Sequence, residues 1–155
     1  MKFVFLFLGK TREKYLDEGI TDYVKRLGRF VQVDIVVIKE SASKKLPDNV
    51  LKKRESEQFL AHCSTSSLVV ALDPLGKEHD SIELADLVGK WEDRGVRTVS
   101  FIIGGHFGLH ENVLNRADVV LSLSRLTFTH EMSRLILLEQ FYRAWMIKSG
   151  RNYHY

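Results

Sequence analysis

Cysteine and proline are scarce in this sequence, whose 155 residues include one cysteine, Cys63, and two prolines. A single cysteine excludes a disulfide framework within the chain and a zinc site built from several thiolates. Long apolar runs are also lacking: the first one, residues 3–8, is too short for the core of a signal peptide or for a membrane span. We therefore expect a cytoplasmic protein with no membrane partner.

A strong excess of one charge is missing too, because 23 Lys and Arg residues are balanced by 20 Asp and Glu residues. The resulting net charge of +3 says little about binding partners. Hydrophobic residues make up 45% of the chain, which is enough for a core and excludes a disordered or fibrous protein. The length favours one domain over residues 1–155.

Short apolar segments alternate with longer amphipathic ones along the chain. Segments rich in Val, Ile, Leu and Phe predict buried strands at 2–8, 31–38, 68–72, 98–103 and 119–123. Helical spacing predicts helices at 11–27, 50–62, 81–94, 110–116 and 131–148, with Ser81 as the N-cap of the third. This alternation predicts an α/β fold with a mostly parallel sheet, in which ligands bind beyond the carboxyl ends of the strands.

The turn after the fourth predicted strand contains Gly104, Gly105 and Gly108. Glycines at this density let a ligand approach the main chain closely, although the pattern also fits a plain turn. His106 occupies the second glycine position of the dinucleotide-binding pattern, and the phosphate-loop pattern is absent. His106 and His110 are four residues apart without an evident third ligand, so we expect no metal site.

The loop after the fifth predicted strand mixes apolar side chains with hydroxyls and backbone amides, and it leads directly into the last helix. Such a loop can hold a flat amphipathic ligand through main-chain hydrogen bonds. The alternative is a simple connection in which Thr129 caps the helix. His130 is the candidate functional side chain of this loop, because an imidazole exchanges protons near neutral pH.

The last predicted helix has apolar residues on more than one face, which indicates burial on several sides. The cover is either the core or a second subunit, and the pattern favours a homodimer. After Glu139 the chain has no acid, and its basic residues are Arg143, Lys148, Arg151 and His154. Such a terminus can bind phosphates and stack on bases, or it can be a solvated helix end whose cations offset the helix dipole.

Six segments together match one protein family in order and from end to end. They are Phe5-Leu6-Phe7-Leu8-Gly9-Lys10, Tyr23-x-x-Arg26-Leu27, Leu72-Asp73-x-x-Gly76-Lys77, Ile102-Ile103-Gly104-Gly105-x-x-Gly108-Leu109, Leu123-Ser124-x-Leu126-Thr127-Phe128-x-His130, and Tyr142-Arg143-Ala144-Trp145 with the terminal Tyr153-His154. The chain resembles the ribosomal RNA large subunit methyltransferase H family, the smallest enzymes of the SPOUT class. Thr129 stands where the family usually has proline, and His106 and Phe107 are bulkier than is usual there.

The resemblance implies a SPOUT methyltransferase fold with a deep trefoil knot in its C-terminal half, an exception to the usual unknotted rule. It also implies a homodimer, S-adenosylmethionine as methyl donor, and methylation of N3 of a pseudouridine. The target would lie in the helix 69 loop of 23S rRNA within the assembled 70S ribosome. By position in the motifs, the residues that would contact the cofactor are Leu72, Gly104, Leu123, Ser124, Arg125, Leu126, Thr127 and Phe128.

The chemistry of the proposed transfer suggests roles for four further residues. Removal of the N3 proton calls for a base, and His130 is the candidate, with His154 as its rival. Arg143, or alternatively Arg134, would stabilise negative charge on the base oxygens, and Tyr153 would stack on the target base. The competing hypotheses are a non-catalytic RNA-binding or ribosome-assembly module that keeps the fold, and a nucleotide-binding enzyme, which His106 disfavours.

Overall fold

The computed structural model describes residues 1–41 and 46–151, within which five strands alternate with five helices. In chain order they are β1 (Lys2–Leu8), α1 (Lys14–Leu27), β2 (Gln32–Ile38), α2 (Asp48–His62), β3 (Leu68–Glu78), α3 (Ser81–Asp93), β4 (Thr98–Ile103), α4 (Glu111–Arg116), β5 (Val119–Ser122) and α5 (His130–Lys148). Every predicted element is present. The largest difference is in β3, which continues past its predicted end at Leu72.

The five strands form one parallel sheet with the order β2-β1-β4-β3-β5. This confirms the α/β prediction, and it follows from the long helical connections that parallel strands require. The trefoil knot stays a prediction. Among the described residues, no helix combines the length and the apolar character needed to cross a membrane.

The two faces of the sheet carry different cores because successive strand residues point to opposite sides. On β1, Phe3, Phe5 and Phe7 belong to a large cluster with residues of α1, α3 and α5. Leu6 and Leu8 point the other way and pack with residues of α2 and α4. The molecule is therefore a three-layer structure, with the aromatic residues concentrated on one face.

Helix α5 lies between α1 and α3 on the aromatic face of the sheet. Leu137, Leu138, Phe141 and Ala144 are fully buried there. Packing within one chain thus accounts for apolar residues on more than one face of this helix. The homodimer consequently rests on the resemblance alone and stays a prediction.

The N-terminus of α3 is capped one residue earlier than predicted. Asp80, not Ser81, accepts hydrogen bonds from the backbone N–H groups of Ile82 and Glu83, at 2.9 and 2.8 Å. The Glu83 carboxylate in turn accepts the Asp80 backbone N–H at 2.9 Å, which completes a capping box. Ser81 instead donates its hydroxyl to Gln140 of α5 at 3.2 Å, so it ties the two helices together.

Candidate active site

A cleft opens at the carboxyl ends of β3, β4 and β5. Each strand contributes its last residues and those that follow them, as expected for a parallel sheet. The walls are mainly apolar, while hydroxyls, backbone groups and the side chains of Asp73, His106 and His130 supply polarity. Among the described residues, no cluster of three or more metal-ligating side chains occurs.

The first wall forms where β3 leaves its regular pairing. Leu72 and Lys77 both pair with Leu121 of β5, so residues 73–76 bulge out of the ladder. Asp73 stabilises the bulge by accepting the backbone N–H of Leu75 at 2.9 Å. Glycine is required at position 76, where the bulge passes close to β5, because a Cβ there would lie 2.7 Å from the carbonyl carbon of Leu121. The bulge turns Asp73 and Pro74 toward the cleft.

The second wall is the glycine turn after β4. The Gly108 N–H donates to the Gly105 carbonyl at 3.1 Å, and Gly108 has a φ of +74°, a conformation that favours glycine. A Cβ on Gly105 would lie 2.6 Å from a methyl carbon of Leu8. A Cβ on Gly104 would come within 3.0 Å of the backbone of Gly108. Close approach of neighbouring atoms therefore explains Gly104 and Gly105, the positive φ explains Gly108, and His106 is exposed in this turn.

The third wall is the loop between β5 and α5. The Leu126 N–H donates to the Ser124 hydroxyl at 2.9 Å, and Ser122 donates its hydroxyl to the Ser124 carbonyl at 3.2 Å. Thr129 caps α5 by accepting the Met132 N–H at 3.2 Å, so this alternative from the sequence is confirmed without excluding a ligand-binding role. The Leu126 side chain is 73% exposed at the cleft, although it is apolar.

His130 begins α5 and is half-buried at the edge of the cleft. Burial, together with the positive charge of Arg134 and the proximity of His106, holds the pKa of His130 below its ordinary value, while Glu131 and Glu40 oppose this effect. The imidazole is consequently neutral at pH 7. A neutral imidazole can accept a proton from a bound ligand.

Two charged residues near the start of α5, Glu131 and Arg134, have structural roles. Glu131 accepts the backbone N–H groups of Arg12, at 3.0 Å, and Glu13, at 3.1 Å, so its carboxylate caps the N-terminus of α1. Burial alone would raise the pKa of Glu131, but these two donors and Arg134 hold it below its ordinary value. The carboxylate therefore stays charged near neutral pH.

Arg134 is fully buried. It donates to the Leu8 carbonyl at 2.5 Å and to the Thr11 hydroxyl at 3.0 Å, and it lies 4.7 Å from the centre of the Phe7 ring. These contacts hold the loop between β1 and α1 against α5. Arg134 is therefore placed to anchor the start of α5 and not to contact a substrate. This disfavours Arg134 as the residue that stabilises negative charge on the oxygens of the target base.

The structure brings most of the predicted cofactor residues together. Seven of the eight line the cleft: Leu72, Gly104, Leu123, Ser124, Leu126, Thr127 and Phe128. Arg125 is exposed and is not among the lining residues. Arg143 lies farther along α5, where it donates to Glu139 at 2.5 Å, and Tyr153 and His154 lie outside the described residues.

The resemblance did not assign several other lining residues to the cofactor, although Gly105, His106 and Gly108 belong to the glycine turn that the sequence indicated as a possible ligand site. These other lining residues are Asp73, Pro74, Ile103, Gly105, His106, Gly108, Leu121, Ser122 and Ser133. Most of them directly flank a predicted strand end, so the rule that located the cleft could have found them. Ser133 is the exception, because it reaches the cleft from the first turn of α5.

Comparison with known proteins identifies the family. The family model described as "Predicted SPOUT methyltransferase" matches residues 1–154. Two relatives named ribosomal RNA large subunit methyltransferase H, from Desulfotalea psychrophila and from Lactococcus lactis subsp. cremoris, are each 42% identical. Each alignment covers 99% of this chain and 99% of the relative.

Among solved structures, a probable methylase family protein from Haemophilus influenzae Rd KW20 has a similar fold. Its TM-score is 0.56 with 11% sequence identity, and the match covers 99% of this chain and 70% of that one. This likeness supports the fold, whereas the full-length identity to the curated relatives supports the family and its enzymatic activity. The chain therefore belongs to the ribosomal RNA large subunit methyltransferase H family of SPOUT methyltransferases.

Proposed function

We propose that this chain transfers a methyl group from S-adenosylmethionine to N3 of a pseudouridine in the helix 69 loop of 23S rRNA. The substrate is the assembled 70S ribosome, so the enzyme works in the cytoplasm. One observation supports this proposal above the others. The cleft at the carboxyl ends of β3, β4 and β5 is lined by seven of the eight residues that the family resemblance assigns to the methyl donor.

The cleft residues fit such a cofactor. Leu72, Leu123 and Phe128 offer apolar surface of the kind that an adenine ring packs against, and the surrounding loops expose backbone donors and acceptors. Side chains are excluded from Gly104 and Gly105 by their neighbours, which leaves the main chain open to a ligand. Asp73 places a carboxylate at the same edge, where it can accept hydrogen bonds.

When bound, the cofactor supplies a methyl group on a positively charged sulfur, which is electrophilic without a metal. The protein's task is to orient the acceptor nitrogen and to take its proton. His130 suits this role, because it lines the cleft and is neutral at pH 7. His154 remains its rival, with Arg143 and Tyr153 on the acceptor side of a homodimer.

Methyl transfer tests this proposal directly. Labelled S-adenosylmethionine is incubated with undermethylated 70S ribosomes, with 50S subunits and with free 23S rRNA in parallel. We expect label only on 70S particles, at the helix 69 loop. Label on another RNA site would overturn the proposed target, and label on free 23S rRNA would overturn the requirement for the assembled particle.

A variant that distorts the glycine turn beside the cleft provides the control for this experiment. Gly104→Val introduces a side chain where a Cβ already meets the backbone of Gly108 and the Leu109 side chain at 3.0–3.1 Å. We expect it to lose cofactor binding, measured by calorimetry, together with methyl transfer. RNA binding by the native chain without any cofactor binding would instead indicate the non-catalytic module.

A further inference from the structure

We infer that the amino edge of the sheet, where the strands begin, binds the phosphate backbone of an RNA strand. This edge lies opposite the cleft, because all five strands are parallel. The inference rests on the proposed function in one respect, namely that the polyanion is the RNA that carries the methylated base.

Basic side chains lie at or before the starts of four of the five strands along this edge, and β3 has none. Arg29 precedes β2, Lys2 begins β1, Arg97 immediately precedes β4, and Arg116 precedes β5. The Lys2 N–H donates to the Arg97 carbonyl at 2.8 Å, which shows that neighbouring positions of the row are adjacent. Strands are about 4.8 Å apart, so the row extends roughly 20 Å across the sheet. Of these four, Arg29 and Arg97 form no ion pair among the described residues, so each is available to contact a phosphate of the same strand.

A groove lies within this edge, between the starts of β3, β4 and β5. Arg97 is exposed at the groove and forms no ion pair within the described part of the chain. The hydroxyls of Thr65 and Ser66 line the same groove. A guanidinium beside hydroxyls is a donor set that suits phosphate oxygens.

The carboxylate that lines the groove, Asp118, already has hydrogen-bond donors within the protein. Asp118 accepts the Arg116 guanidinium at 3.2 Å and the Val69 N–H at 2.7 Å. Arg116 also donates to the Ser67 carbonyl at 3.0 Å, so this pair is part of the scaffold. Arg97 is therefore the cation of the groove that remains available to an anion.

Helix ends add further cations along the amino edge. Lys25 and Lys90 lie in the last turns of α1 and α3, and Arg29 and Arg94 follow those helices. None of these four forms an ion pair with a carboxylate among residues 1–41 and 46–151. The helix dipole explains a cation at each helix end, but Arg97 is not helical and lies between them. Unpaired positive charge from three segments thus converges on one edge.

The carboxylates near this edge are largely neutralised. Asp34 pairs with Lys2 at 2.6 Å, Asp22 pairs with Arg26 at 2.8 Å, and Glu92 pairs with Lys148. Asp93 is exposed at the end of α3. The balance leaves the edge positively charged even though the whole chain carries only +3.

The double variant Arg29→Ala with Arg97→Ala tests the inference. Binding of a fluorescent 12-nucleotide oligouridylate is measured by anisotropy between 50 and 200 mM KCl. Two lost phosphate contacts should weaken binding about tenfold and reduce the slope of log affinity against log salt by about 1.4. An unchanged affinity and slope would overturn the inference.

The matched control is Lys53→Ala with Arg54→Ala, which removes the same charge from exposed positions of α2. We expect the control to keep the native salt slope. Equal losses in both double variants would overturn the inference, because net charge alone would then explain them. Circular dichroism checks the fold of each variant, and Arg29→Gln with Arg97→Gln replaces the alanine pair if that pair does not fold.

Two further outcomes separate the amino edge from the proposed function. If the native protein methylates none of the RNAs, while the edge variant still shows a reduced slope of log affinity against log salt, the proposed function alone is overturned. If the edge variant binds oligouridylate as the native protein does, and methyl transfer to 70S ribosomes is intact, only the inference about the amino edge is overturned. A 12-residue polyglutamate that competes as well as the oligouridylate would overturn RNA as the ligand.

Discussion

The interior of the sheet and its carboxyl edge are built by opposite means. In the interior, the Phe5 and Phe101 rings stack with centroids 4.6 Å apart, and Phe141 lies 4.6 Å from Phe101. At the edge, glycines bring main-chain segments together and Leu126 stays exposed. The interior uses side-chain contacts for stability, whereas the edge leaves backbone groups available. Substitutions should therefore separate the free energy of unfolding from ligand binding and turnover.

The largest expected effect is in the interior. Phe101→Ala removes a fully buried ring from an aromatic cluster and should lower the free energy of unfolding by about 3–5 kcal/mol. Urea denaturation measures this change, and the milder Phe101→Leu serves as the control. Cofactor affinity of the remaining folded protein should be native, and a matching loss of affinity would show that the two regions are not separate.

At the edge, His130→Gln should reduce methyl transfer at pH 7.5 on the order of 100-fold, because the general base is lost. In the native protein, the rate should fall as the pH drops through the pKa of His130, which lies below its ordinary value, since only neutral imidazole accepts the proton. The variant should lack this acid limb of the pH–rate profile. Calorimetry should show native cofactor affinity. Full activity in the variant would contradict His130 as the general base and would favour His154.

Glu131→Gln addresses the junction between the two regions and has the smallest expected effect. Loss of the charged cap on Arg12 and Glu13 should lower the free energy of unfolding by about 1–2 kcal/mol at pH 7. The pKa of Glu131 is lower in the folded than in the unfolded chain. The native stabilisation is therefore present above the unfolded pKa and is lost as the pH falls through the folded pKa.

Urea denaturation of native protein and Glu131→Gln across pH 3–7 checks this linkage. The two curves should converge at the acid end. Glu18→Gln is a suitable control, because Glu18 lies at an exposed position of α1 and forms only a surface pair with Lys14 at 3.8 Å. A difference that is constant with pH would contradict the charged cap.

Periodicity was sufficient to predict the order and type of the elements, because buried parallel strands and amphipathic helices leave distinct patterns. The same reasoning located the cleft at the strand ends. It did not predict the bulge in β3, since the pairing of Leu72 and Lys77 with the same residue depends on β5, more than forty residues later. Long-range pairing of this kind leaves no local signal.

The roles of the charged residues in α5 could not be predicted from the sequence either. Arg134 looked available to a substrate, yet it is buried on the Leu8 carbonyl. The cap of α1 comes from Glu131, and Glu13 at the N-cap position makes no side-chain capping bond of its own. Such roles depend on which distant backbone groups come near, and a single sequence does not record this.

The capping of α1 by a carboxylate of α5 also bears on how the protein is synthesised. The two bonded groups are 118–119 residues apart in the chain. While α5 is still inside the ribosomal tunnel, the N–H groups of Arg12 and Glu13 have no such acceptor, and the loop after β1 lacks its anchor. Contacts this distant in sequence form late in folding. We therefore expect the nascent chain to remain incompetent for methyl transfer until α5 has emerged.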